Sequence, residues 1–316
     1  MKFTFAKLTA LAAACALGSA HAEVPARTVT HRALMEEYTG TWCKFCPRGM
    51  AAMELMTEQY GDDFIGVSYH YNDVMTVMTE SQYPSPIAGF PFAYIDRLTL
   101  ADPFGGLEST GFHIDTLWEE ACEVAAPADV DVELEYDETT NMLSAKALYT
   151  FAESCADADY KAEFILVENG LHGSGVYWAQ KNAYTGDTSW EEWAPMEIFI
   201  KSGSSVPNLK YNDVVVYSSR MGEEELSLPG QVDAETPVKM DYEFDLSKVK
   251  NLTSNQMPMS VDLIQDVYQL RVVALLIDGK TGAVLNANQR KLVSGEVGIE
   301  EMPAPEIVRE TYHDLN

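Results

Sequence analysis

The 316-residue sequence predicts an α/β domain followed by an all-β sandwich. Three observations carry that expectation. Between about residues 30 and 126 the apolar runs alternate between strand-like and helix-like spacing. From Pro127 onward they keep a period of two, with no helical runs between them. Turn signals, such as Asp278-Gly279 and Thr281-Gly282, separate the later runs as in hairpins.

In chain order, "RALMEEYTG" (32–40) is expected to be a buried strand. In "CPRGMAAMELMTEQYG" (46–61), Met50, Met53, Leu55, Met56 and Tyr60 recur at helical spacing, and Gly61 can end the helix. "DFIGVSYHY" (63–71) completes a βαβ unit and implies parallel pairing. A short helix is expected around 74–81, then a strand over 92–97 behind Pro84, Pro86, Gly89 and Pro91. A helix over 109–126 carries Ile114, Leu117, Trp118, Ala121 and Cys122 along one face, closing a first domain over 23–126. Period-two runs follow at 129–137, 143–151, 160–168, 212–218, 238–246, 267–278 and 283–290. They predict an immunoglobulin-like sandwich over 127–297. At about 165 residues it exceeds the roughly 100 usual for that fold, so the excess is assigned to an insertion over 170–210. The insertion gathers Tyr177, Trp178, Tyr184, Trp190 and Trp193. They form either a small core, the favoured expectation, or a platform for a partner or carbohydrate. Residues 298–316 make a loose acidic tail.

Residues 1–22 have the form of an export signal: Lys2 and Lys7, an apolar stretch over 8–17, and Ala20-His21-Ala22 as the cleavage site. A lipidated Cys15 is the less favoured alternative, since Ala12 stands where such signals usually have Leu. The expected location is the periplasm or an outer-membrane-associated site, with secretion a further option. No later stretch is apolar enough to span a membrane. With 21 basic against 49 acidic residues the formal charge is −28, which repels nucleic acid and anionic lipid.

Cleavage after Ala22 leaves Cys43, Cys46, Cys122 and Cys155, an even number that permits disulfides in an exported protein. Cys43 and Cys46 form a C-x-x-C between the first strand and the first helix. The helix N-terminus favours a thiolate at Cys43, and Lys44 adds a positive charge beside it. Cys46, one turn in, can then attack a mixed disulfide formed on Cys43.

"EYTGTWCKFCP" resembles the active-site stretch of the thioredoxin-like superfamily: Trp42 precedes the first cysteine, and Glu37 lies six residues before it. Glu rather than Asp there is similar to protein disulfide isomerases. Pro91, 48 residues after Cys43, matches the family's cis-proline. The resemblance covers about a third of the chain. It implies a thioredoxin-like first domain in which Glu37, buried beneath the dithiol, moves the Cys46 proton. It also implies that Trp42, Phe90 and Pro91 hold an extended protein substrate. More narrowly, "EEYTGTWCKFCPRGM" ahead of a β-rich domain is similar to exported, outer-membrane-associated thioredoxin-like proteins of Gram-negative bacteria. Two features depart from the pattern. Pro47 follows the second cysteine instead of lying between the two, and "LTLADPFGG" hardly shows the hairpin expected after the proline strand.

Other readings stay open on the residues alone. The Cys43/Cys46 pair can be a structural disulfide in a scaffold whose sandwich and insertion bind a partner. Strand alternation lets only one of Glu36 and Glu37 face the dithiol. Cys122 and Cys155 are candidates for a second disulfide. No metal site is expected, since no second C-x-x-C or close His pair exists; His70 is the lone candidate ligand, more simply a packed histidine. The favoured function is an exported thiol–disulfide oxidoreductase acting on protein thiols and disulfides, with no prosthetic cofactor.

Overall fold

The computed structural model describes residues 28–222, 225–254 and 257–293; the expected export signal and the 298–316 tail lie outside the described residues. The α/β half comprises β1 (Leu34–Thr39), α1 (Pro47–Tyr60), β2 (Ile65–His70), β3 (Phe92–Ile95), β4 (Thr99–Ala101) and α2 (Ile114–Cys122). The β-rich half comprises β5 (Ala128–Asp137), β6 (Met142–Phe151), β7 (Tyr160–Glu168), β8 (Gln180–Lys181), the short α3 (Glu197–Lys201) and β9 (Ser205–Val206). It continues with β10 (Val214–Ser218), β11 (Leu226–Ser227), β12 (Val238–Asp245), β13 (Leu270–Asp278) and β14 (Val284–Lys291).

β1 and β2 pair in parallel, as the βαβ pattern predicts, and every residue in both is buried. Strands covered on both faces are usually near-continuous apolar runs, and the polar Glu36, Glu37, Ser68 and His70 here are buried with partners. Met53 and Met56 of α1 are buried, each contributing about 1.5–3 kcal/mol of burial. Trp118 of α2 stacks near Tyr60, with ring centroids 4.6 Å apart, and its indole N–H donates to Ala33 O at 2.9 Å.

The two expected domains share one sheet. Its order is β14-β13-β7-β10-β2-β1-β3-β4, with β11 added beside β7. β10 pairs in parallel with the outer edge of β2, so the β-rich half continues the first sheet instead of starting a separate one. An open edge strand is satisfied by whatever strand reaches it. The β-rich half also holds a separate three-stranded sheet, β12-β6-β5. It is tied to the large sheet by Tyr149 Oη donating to Leu275 O at 3.0 Å and by Asn286 Nδ2 donating to Ala128 O at 2.8 Å. Its outer face is wet, hence the alternating burial along β6.

Three local expectations need correction. No α-helix forms over 74–81; only a 3-10 turn at Glu80–Gln82 appears. Asp73 accepts from Met75 N at 2.9 Å, an Asx-type bond that competes with helix initiation. The second helix starts at Ile114 instead of 109, because Phe104 O captures the His113 and Ile114 N–H groups. The hairpin after Pro91 is present: β3 and β4 pair antiparallel around Asp96-Arg97, with φ of 51° and 61°. A two-residue turn with both φ positive normally uses Asn-Gly. Here tertiary bonds offset the strain. Asp96 Oδ1 accepts from Leu34 N at 2.8 Å, while Arg97 pairs with Glu36 and Glu163, each at 2.9 Å.

No disulfide joins Cys122 to Cys155, against the second-bridge expectation. Cys122 ends α2, whereas Cys155 follows β6 and pairs through its backbone with Val232.

Candidate functional site

The turn leaving β1 runs directly into α1, and Cys43 and Cys46 are disulfide-bonded across it with Cα atoms 5.4 Å apart. The regular helix begins at Pro47, so Cys46 occupies the cap position and Cys43 lies one tight turn ahead, Cys46 N donating to Cys43 O at 3.2 Å. Proline lacks an N–H and suits the first helical position, which moves the helix start past the second cysteine. Cys43 is 5% exposed and Cys46 0%.

Strand alternation sends Glu37 toward α1 and Glu36 to the opposite face, where Arg97 neutralises it. Glu37 is buried; its Oε2 accepts from Ser68 Oγ at 2.8 Å, while Oε1 has no hydrogen-bond partner. That free oxygen faces Gly49 so closely that a Cβ there would overlap it. Gly49 N in turn donates to Cys46 O at 2.9 Å, so the carboxyl faces the first turn of the helix that Cys46 caps. Burial pushes the Glu37 carboxyl up to about 7, against lowering by the Ser68 hydrogen bond and by His70. A carboxyl poised there can take or give a proton near neutral pH.

Trp42 is 44% exposed; its Nε1 donates to Tyr71 O at 2.7 Å, and its ring meets Phe90 edge-on at 5.1 Å. Phe90 precedes a cis bond to Pro91, and β3 starts at the next residue alongside β1, with Phe92 opposite Tyr38. The aromatic pair thus brings the Pro91 turn beside the dithiol loop. Phe45, 45% exposed, carries Lys44 Nζ over its ring at 4.9 Å.

Several site neighbours were not legible in the sequence. Ser68 and Gly49 sit around Glu37 through strand register and helix packing alone. His70 is buried with Nδ1 2.6 Å from Asp73 Oδ2, and Asp73 also accepts from Thr41 N at 2.9 Å. His70 is therefore a packed histidine that braces the loop. Among the described residues no cluster of three or more His, Cys, Asp or Glu side chains could hold a metal ion.

The insertion lies against the dithiol loop. Lys181 N donates to Thr41 O at 2.7 Å and Ala183 N to Lys44 O at 2.9 Å. Its aromatic residues are largely spent on packing. Trp178 and Tyr184 are buried, and Trp190 meets Tyr184 and Trp193 within the insertion. Trp190 and Trp193 also contact Phe104 with ring centroids at 5.0 and 4.9 Å, so the expected small core is shared with the α/β half. Arg48, in the first turn of α1, pairs with Asp102 at 2.6 Å.

The fold and site define a mostly β chain in which a buried C-x-x-C disulfide caps the first helix of a βαβ unit. No protein-family model and no curated protein matches the sequence. Among solved structures, HBP35 of Porphyromonas gingivalis is similar, with a TM-score of 0.56, 15% identity, and coverage of 88% of this chain and 81% of that chain. At that identity the likeness shows a shared fold. An Agrobacterium tumefaciens protein from structural genomics matches with a TM-score of 0.44 and 13% identity, over 87% of this chain and all (100%) of its own. A domain of the outer membrane lipoprotein Omp28 from Porphyromonas gingivalis gives 0.25 and 13%, over 53% of this chain and 88% of that one. Among the described residues, no helix is long and apolar enough to cross a membrane.

Proposed function

We propose that the chain is an exported, envelope-associated thiol–disulfide oxidoreductase with a thioredoxin-like unit as its redox centre. One observation carries the proposal: a buried carboxyl, with one oxygen unpartnered, faces the first turn of the helix that the Cys43–Cys46 disulfide precedes. A disulfide that served only as a clip would gain nothing from an ionisable group placed there at the cost of burial. Acting as reductant, the Cys43 thiolate attacks a substrate disulfide, forming a mixed disulfide and expelling one substrate thiolate. Cys46 gives its proton to Glu37 and attacks the Cys43 sulfur. The Cys43–Cys46 bond forms, the second substrate thiolate leaves and takes up a proton, and two electrons have passed to the substrate. The reverse sequence oxidises a dithiol. Trp42, Phe90 and Pro91 form the proposed substrate-binding edge, supported by the Trp42–Phe90 contact and the exposure of Trp42. Export rests on the form of residues 1–22.

The near-complete burial of both cysteines favours one other reading, a scaffold with a structural disulfide. Insulin reduction and the reduction potential separate the two. A potential below about −300 mV with no turnover would establish the scaffold. Mixed disulfides trapped in cells by Cys46→Ala would establish exchange.

A further inference from the structure

The backbone carbonyls of Gly40, Thr41, Cys43, Lys44 and Phe45 accept hydrogen bonds from a segment far away in sequence. We infer that residues 180–184 of the insertion, chiefly through Gln180, act as a positioning element that holds Cys43 and Cys46 at disulfide-closing distance. Its biological meaning rests on the redox function proposed above, but its physics does not.

Gln180 is wholly buried, and its Nε2 donates to Cys43 O at 2.8 Å and reaches Gly40 O at 3.4 Å. The amide's own Oε1 has no hydrogen-bond partner, so the side chain is held by what Nε2 donates. Two neighbours extend the contact: the Lys181 and Ala183 N–H groups reach Thr41 O at 2.7 Å and Lys44 O at 2.9 Å. Tyr184 Oη donates to Phe45 O at 3.3 Å. Donors more than a hundred residues away therefore supply the bonds that neither a strand ladder nor a helix gives this turn.

With the turn pinned, the Cα atoms of the pair sit 5.4 Å apart, inside the 4.4–6.8 Å range that a disulfide spans. A reduced loop free to spread would present Cys46 to Cys43 at a lower effective concentration. Losing the amide donor also leaves the Cys43 carbonyl with only the 3.2 Å bond from Cys46 N. Both effects weaken the disulfide relative to the dithiol. One such hydrogen bond corresponds to about a five- to tenfold change in that equilibrium.

The test equilibrates the mature protein and its Gln180→Met and Gln180→Glu variants with reduced and oxidised glutathione. The expected result is a dithiol–disulfide constant lowered about five- to tenfold, equivalent to a potential about 20–30 mV less negative. Thermal unfolding should fall more for the oxidised than for the reduced form. An unchanged constant, with both redox forms destabilised equally, would reduce Gln180 to a structural residue and overturn the inference. If neither variant folds, Tyr184→Phe removes the contact to Phe45 O together with the 3.4 Å contact from Arg48 Nη1. A shift of about twofold in the same direction supports the positioning role, and no shift overturns it. A shifted constant in a protein that never reduces insulin would retain this inference and end the oxidoreductase proposal. Turnover with an unshifted constant would do the reverse.

Discussion

Ser68 Oγ donates a 2.8 Å hydrogen bond to Glu37 Oε2 across the parallel β1–β2 pair and leaves the other carboxyl oxygen facing α1. The carboxyl is therefore held in place without being neutralised, and its ionisation should be visible in both stability and chemistry.

Glu37 releases its proton near pH 4.5 in the unfolded chain and at about 7 in the folded protein. Between those values the folded state holds a proton that the unfolded state has lost, so stability falls as pH rises. The loss, of the order of 3 kcal/mol, is complete above about pH 7 and absent below about pH 4.5. Glu37→Gln should match the parent near pH 4 and exceed it by about 2–3 kcal/mol at pH 8 in urea unfolding of the oxidised proteins. Equal pH profiles for the two would contradict the buried ionisation.

The same group predicts a kinetic profile. Resolution of a mixed disulfide on Cys43 should accelerate as pH passes about 7, where Glu37 becomes the base. Glu37→Gln should slow resolution about a hundredfold at neutral pH and lose that inflection. Stopped-flow decay of a mixed disulfide measures both. An unaltered rate would remove Glu37 from the proton path.

Gly49 stands where no side chain fits. In an exposed helix, Gly→Ala stabilises by about 1 kcal/mol. Here Gly49→Ala should destabilise by about 1–3 kcal/mol, because its Cβ overlaps Glu37 Oε1. Glu37→Ala should relieve most of that cost, and a double-mutant cycle by chemical denaturation reads the coupling. A neutral Gly49→Ala would show that the carboxyl can move aside.

Arg97 joins two buried carboxylates, Glu36 and Glu163, and Glu163 also pairs with Arg220 at 3.1 Å. Arg97→Met should cost about 3–5 kcal/mol by leaving those carboxylates without their shared cation. Guanidinium unfolding at neutral pH checks it, and a loss below about 1 kcal/mol would place the burden on Arg220.

Cysteine state is directly assayable. Cys122, partly exposed at the end of α2, should be alkylated by maleimide without reductant, and Cys43 and Cys46 only after reduction. Peptide mapping reports each site. Labelling of Cys43 in unreduced protein would contradict the disulfide.

Legibility followed the range of the interactions. Burial on both faces of β1 and β2, the α1 spacing and the period-two strands are encoded residue by residue, and they were readable. The β3–β4 hairpin was hard to see because its turn is Asp96-Arg97, lacking the glycine that local turn chemistry favours. Buried partners distant in sequence stabilise that turn, so no local window contains its explanation.

By its own content the sequence determined the C-x-x-C, Glu37 six residues before it, Pro91 downstream and the export-type N-terminus. These are matters of residue type and spacing, governed by short-range geometry. Tertiary structure alone decided that β10 would extend the first sheet through β2, that Glu37 would face Gly49, and that Gln180 would close over Cys43. Each depends on which open edge, void or carbonyl a distant segment reaches, and only the folded chain, by bringing those segments together, settles it.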